Sequence, residues 1–164
     1  MKKRDFLKTF AFAASSFFLP KSLMSYGQYS QKLRTAHIGV GGMGFQDLKA
    51  ISSHKNVEVV GLCDVDSEAL FNSKLKFPKV KTYKDYRVML NDLSDKIDAV
   101  IVSTPDHSHA PAALMAMKKN KAVYCQKPLA HNVNEVREMR KIAEKKNLIT
   151  QMGIQVHSFY DYKL

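Results

Sequence analysis

A chain of 164 residues is long enough for one domain with a real core and too short for two ordinary ones. Its 45% apolar and 25% charged content excludes a disordered chain. The net charge of +11 suggests a nucleic-acid binder at first sight. However, seven Lys and Arg against one Asp place +6 in the first 34 residues, and the other +5 is spread over predicted helices without interleaved aromatics. That distribution argues against nucleic acid as a partner.

The chain opens on the cations Lys2, Lys3 and Arg4, followed by an apolar stretch from Phe10 to Leu19 that Pro20 closes. Ten residues are too few to span a bilayer but suit the apolar centre of an export signal. The stretch KRDFLK resembles the twin-arginine signal, with Lys3 where the first arginine usually stands and no A-x-A cleavage site following. Residues 20–32 are polar, aperiodic and read as a linker. The expectation is therefore an exported protein, bound for a bacterial periplasm, with leader and linker over 1–32.

From Leu33 onward strand and helix patterns alternate. Ala36 to Val40 is a short apolar strand running into GVGGMG, after which Phe45, Leu48 and Ile51 recur at helical spacing. Val57 to Cys63 is a β-branched and hence central second strand. A helix over 66–76 would bury Leu70, Phe71 and Leu75, and Val80 to Tyr83 forms a short edge strand before a small helix through Tyr86, Met89 and Leu90. Ile97 to Val102 is the fourth strand. The next helix, on Ala110, Ala113, Leu114 and Met117, carries Pro111 in its first turn, where a missing N–H costs nothing. Ala122 to Tyr124 is the fifth strand. Asn132 and Glu135 have capping-box spacing ahead of a helix on Val133, Val136, Met139 and Ile142 that ends at Asn147. Leu148 to Met152 is the sixth strand. Such alternation predicts an α/β doubly wound parallel sheet, order 3-2-1-4-5-6, over residues 33–153, with 154–164 beginning something further.

Gly39-Val40-Gly41-Gly42-Met43-Gly44 satisfies G-x-G-x-x-G between a strand and a helix. Gly39 permits the tight turn, Gly41 lets a pyrophosphate approach the backbone, and Gly44 lets the helix pack on the sheet. The helix N-terminus then offers unpaired N–H groups to phosphate. Asp64 follows Gly44 by 20 residues, at the end of strand two, where a carboxylate accepts hydrogen bonds from a ribose diol. It would repel a 2′-phosphate, and Val65 supplies no cation, so NAD is expected over NADP. FAD and S-adenosylmethionine proteins share these features, which leaves a methyltransferase open at this point. After strand four comes Ser103-Thr104-Pro105-Asp106-His107-Ser108-His109. His107 and His109 have no third ligand nearby, so no metal is expected, and Asp106 or Ser108 is expected to cap the following helix.

Together these segments resemble the Gfo/Idh/MocA oxidoreductases, the glucose-fructose oxidoreductase and inositol dehydrogenase family, from about Leu33 to His157. The family's T-P-N-x-x-H stretch matches Thr104 to His109 with Asp106 for asparagine, and its E-K-P motif matches Gln126-Lys127-Pro128 with glutamine for glutamate. The resemblance implies a Rossmann domain whose cofactor contacts fall on Gly39, Gly41, Gly42, Met43, Gly44, Asp64, Ser103, Thr104, Pro105, His107, His109, Gln126, Lys127 and Pro128. It also implies NAD(P)-dependent oxidation of a sugar or polyol. A second α/β domain normally supplies the substrate pocket, a partner histidine and most homo-oligomer contacts. The family includes NAD-dependent glycosidases that oxidise a sugar transiently, so two reaction outcomes stay open, beside a non-catalytic dinucleotide-binding fragment.

Lys127 is the expected proton-transfer residue, or part of that relay with a histidine from the second domain. Oxidising an alcohol releases a hydroxyl proton as hydride leaves the carbon, which calls for a base at the end of strand five. Pro128 restricts the lysine backbone, and partial burial beside a positive nicotinamide would make a neutral amine accessible. Cys63 and Cys125 end strands two and five, about 14 Å apart at about 4.8 Å per strand, too far for a disulfide.

Overall fold

A computed structural model describes residues 32–158. The leader expected over 1–32 lies, apart from Lys32, outside the described residues. Six parallel strands form one sheet in the order β3-β2-β1-β4-β5-β6, as expected. They are β1 (Leu33–Ile38), β2 (Val57–Cys63), β3 (Lys81–Tyr83), β4 (Ala99–Val102), β5 (Ala122–Gln126) and β6 (Thr150–Gly153). The helices are α1 (Gly42–Ser52), α2 (Ser67–Lys76), α3 (Tyr86–Asp92), α4 (His109–Lys118) and α5 (Val133–Lys146). Among the described residues no helix is long and apolar enough to cross a membrane.

The sheet separates two cores, because alternate residues of each strand point to opposite faces. Cys63 joins a large cluster with Val100, Val102, Leu90, Ala113 and Met139 under α3, α4 and α5. Its neighbour Leu62 joins a smaller cluster with Val40, Leu48 and Leu70 under α1 and α2. Strand order reverses between β1 and β4, so the loops leaving these strands diverge and open a crevice at their carboxyl ends.

Boundaries moved where backbone pairing outruns the apolar run. β1 begins at Leu33, whose N–H donates to Asn56 O at 2.7 Å, and stops at Ile38. β5 extends to Gln126 because Gln126 pairs with Gly153. One expected core face was wrong. Leu70 is buried, but Phe71 and Leu75 are 63% and 66% exposed. The buried partner of Leu70 on α2 is instead Ser73, whose hydroxyl donates to Val40 O at 3.2 Å. A satisfied hydroxyl can therefore occupy a core position that apolar periodicity assigns elsewhere.

The end signals of α5 are as expected. Asn132 accepts from Glu135 N, the Glu135 carboxylate accepts from Asn132 N, and Asn147 closes the helix at φ 50°. The start of α4 differs. Neither Asp106 nor Ser108 caps it with a side chain, since Ser108 Oγ donates back to Pro105 O at 2.8 Å within a 3-10 turn over Asp106–Ser108.

Candidate active site

The glycine turn is shaped by contacts that exclude any side chain. At φ +83° a Cβ on Gly39 would stand 2.5 Å from Ser103 O, and one on Gly44 would stand 2.7 Å from the Gly39 carbonyl carbon. The β1 exit, the β4 exit and α1 thus touch backbone to backbone. The turn is anchored on both sides: Gly39 N–H donates to Cys63 O and Ser103 N–H donates to Ile38 O, each at 2.8 Å. Gly41 caps α1 without a side-chain bond, and the first turn carries no acid. The helix therefore turns uncapped N–H groups and the positive end of its dipole toward the crevice.

Asp64, expected to meet a ribose, is itself bonded to the backbone around it. Its Oδ2 accepts from Val40 N at 2.8 Å and Gly41 N at 3.3 Å, while Oδ1 accepts from Asp66 N at 3.0 Å. These bonds take most of the carboxylate's acceptor capacity. Asp64 is thus a clasp for the glycine turn that keeps one free acceptor direction. A cavity of about 480 Å³ opens beside it, lined by Gly41, Asp64, Val65, Tyr86, Thr104 and His107 among others. Lys84 also lines it, a cation from beyond β3 that no sequence motif singles out.

A second cavity of about 230 Å³ lies past the switch point, between Met43, Thr104, Asp106, His109, Gln126 and Lys127. The turns around it are locked by His109, which is 1% exposed. Its Nδ1 and Nε2 stand 2.6 Å from Pro128 O and Thr104 O respectively. The ring thereby ties the Thr104-Pro105 turn to the Lys127-Pro128 turn, whose peptide is cis. Lys127 is exposed, so the partial burial expected of it is absent. Pro105, Asp106, His107 and Pro128 are exposed as well, and Gly42 and Met43 are exposed at the turn.

Gln126 is 6% exposed, and its amide nitrogen donates to both oxygens of Asp47, at 2.9 and 3.1 Å. Ser103 Oγ donates to the same carboxylate at 2.6 Å. Sequence reasoning missed Asp47. Its one signal is a poor helix former in the interior of a helix, three residues past Gly44.

The sites brought together by the fold fit a dinucleotide on this structure's own terms. Thr104 Oγ1 is buried without a hydrogen-bond partner at the wall of both cavities, and a buried hydroxyl of this kind calls for one. A Cβ on Gly41 would meet Ala69 Cβ at 3.2 Å, so the missing side chain lets the turn lie close against α2. Cys63 and Cys125 are free and buried, and burial pushes both thiols up to about 12.

A family model described as an oxidoreductase family with an NAD-binding Rossmann fold, Gfo/Idh/MocA, matches residues 33–154. The chain belongs to this family. Among relatives of the Gfo/Idh/MocA chain, a glycosyl hydrolase family 109 protein of Stenotrophomonas maltophilia is 36% identical over 77% of this chain and 29% of that protein. Glucose-6-phosphate 3-dehydrogenase of Bacillus subtilis is 32% identical over 71% of this chain and 32% of its own length. The crystal structure of myo-inositol 2-dehydrogenase from Lactobacillus plantarum superposes with a TM-score of 0.74 at 30% identity, covering 81% of this chain and 39% of that one. The chain spans about a third of the length of the curated relatives it matches.

Proposed function

We propose that this chain is the NAD-binding portion of an oxidoreductase acting on a sugar or polyol. The observation that carries the reading is the crevice itself. An uncapped helix N-terminus, the turn clasped by Asp64 and the orphaned Thr104 hydroxyl converge on two cavities that meet at the switch point. The α1 N–H groups would hold the pyrophosphate, Asp64 and the larger cavity would take the adenosine side, and Thr104, Gln126 and Met43 would flank the nicotinamide side. When bound, NAD⁺ supplies an acceptor for hydride.

Lys127 is the group for the accompanying proton. It stands on the turn after β5 at the wall of the smaller cavity, where it would take part in moving the proton of a substrate hydroxyl, in a relay with a histidine of the substrate domain. The Asp64 carboxylate disfavours a 2′-phosphate, which selects NAD over NADP. Titration of the purified chain with NADH and NADPH, read by nucleotide fluorescence, tests the reading. NADH is expected to bind more tightly, and preference for NADPH or binding of S-adenosylmethionine alone would overturn it.

A second reading has its own support, since several relatives are glycosyl hydrolase family 109 proteins. In that case the same lysine serves a transient oxidation followed by elimination. Product analysis of the protein carrying a substrate domain separates the two, a ketone with net NADH from a hydrolysed glycoside without it. The basic, short apolar leader supports export through the twin-arginine route, by which a protein travels folded with its cofactor. Arg4→Lys is expected to block that export, and unchanged export would remove the route.

A further inference from the structure

Asp47 lines neither cavity, yet three hydrogen bonds converge on it from residues far away in the chain: one from Ser103 and two from Gln126. Ser103 follows β4 and Gln126 ends β5, so this one carboxylate joins α1 to the exits of both strands flanking the smaller cavity. It also decides how Gln126 is presented. An amide can turn either end toward a neighbour, but only its NH₂ end can donate to a carboxylate. With Nε2 held by Asp47, Oε1 is turned the other way, where it accepts from Lys127 N at 3.3 Å. The Gln126 side chain is too buried to find water as a substitute partner.

The pair is also chemically matched. A glutamate at position 126, as in E-K-P, would set a second carboxyl within hydrogen-bond distance of Asp47, and two such groups cannot both ionise. Glutamine at 126 and aspartate at 47 keep one negative charge in the cluster and place it on α1 instead of β5.

We propose that Asp47 is a positioning residue of this active site. It fixes the Gln126 amide, and through it the Lys127 backbone, in the geometry that receives the nicotinamide end of the dinucleotide. The inference deepens the NAD-binding reading and rests on it. Because Asp47 touches neither cavity, its effect on the cofactor is transmitted by Gln126 and by Ser103, which lines both cavities, and a charge swap between positions 47 and 126 should preserve it. With D47N and Q126E combined, the amide at position 47 would donate its NH₂ to the carboxylate at position 126. Its carbonyl would accept from Ser103, restoring the Ser103 bond and one of the two bonds between positions 47 and 126 with the charge moved.

The experiment uses the 164-residue chain and four variants, D47A, D47N, Q126E and D47N/Q126E, each measured by NADH titration and by thermal unfolding without nucleotide. D47A and Q126E should each weaken NADH about tenfold or more, and D47N less, as expected for losing a charge-assisted hydrogen bond. The double variant D47N/Q126E should return to within about threefold of the unmodified chain, the non-additivity expected of residues in one hydrogen-bond network. Unfolding without nucleotide reads the same coupling whether or not NADH binds. Failure of every protein to bind NADH would therefore overturn the cofactor reading and leave the 47–126 pairing measurable. Unchanged NADH affinity in D47A, or a double variant no better than Q126E, would overturn the positioning role.

Discussion

The two ends of the crevice are built by opposite means. At the glycine end, backbone shapes the site and a nearby carboxylate clasps it: Gly39 against Ser103, Gly44 against Gly39, and Asp64 on the Val40 and Gly41 N–H groups. At the lysine end, side chains from distant segments do the holding: Asp47 with Ser103 and Gln126, and His109 between Thr104 and Pro128. The first construction leaves no room for substitution because a Cβ has nowhere to go. The second tolerates exchange of partners provided that donors and acceptors still match. One end is thus suited to holding the invariant part of a dinucleotide, the other to adjusting the chemistry beside it.

The largest test of this contrast is functional. In the protein carrying a substrate domain, Lys127→Met is expected to cost turnover about 100-fold to 10,000-fold, the usual scale of a lost acid–base group, while NADH affinity stays within about twofold by titration. Full turnover would return the lysine to the surface and make the lysine end purely structural. Gly44→Ala should show the reverse pattern. Its new methyl would stand 2.7 Å from the Gly39 carbonyl carbon, so thermal melts should register about 3 kcal/mol of destabilisation and NADH binding should fail. An alanine there without effect would mean that the three backbone segments can separate, dissolving the contrast.

Asp64→Ala falls between these. It unclasps the turn as well as removing the repulsion of a 2′-phosphate. NADH affinity should drop by about 2 kcal/mol, in the range for hydrogen bonds to a charged group, and the preference over NADPH should narrow. A narrowed preference with undiminished NADH affinity would show that the turn keeps its shape without the carboxylate.

The smallest effect is shared by both ends, because it arises in the sheet beneath them. His37 on β1 is fully buried, with Nε2 3.2 Å from Thr35 Oγ1 and Nδ1 unpartnered, and burial pushes its pKa down to about 3. Unfolding lets it return to an ordinary value near 6.5. Below that pH the unfolded chain binds a proton that the folded chain refuses. Stability is therefore complete above pH 6.5 and falls toward pH 3, by about 1 kcal/mol for the first pH unit. His37→Leu should flatten that part of the profile in chemical denaturation at several pH values. An unchanged slope would assign the acid sensitivity to other groups.

Much of the glycine end was legible beforehand for a local reason. A tight turn, a close backbone approach and a helix start must lie next to one another in the chain, so Gly39, Gly41 and Gly44 announce them together. Strand order followed in the same way from alternation and crossover handedness. The misread face of α2 shows the limit of periodicity. Phe71 and Leu75 have the right spacing for burial, yet Ser73 occupies the inward position because Val40 O accepts its hydroxyl there.

By itself the sequence determined six parallel strands, the glycine turn at the switch point and a lysine at the exit of β5. Each follows from short-range rules of period, capping and backbone sterics. Only the tertiary structure decided that Asp64 clasps the turn, that His109 joins two loops, and that Asp47 sets Gln126. Those roles depend on where donors meet acceptors across separations of up to 79 residues. No local propensity encodes such a meeting, since a hydrogen bond between distant segments exists only after the sheet has brought its strand ends together.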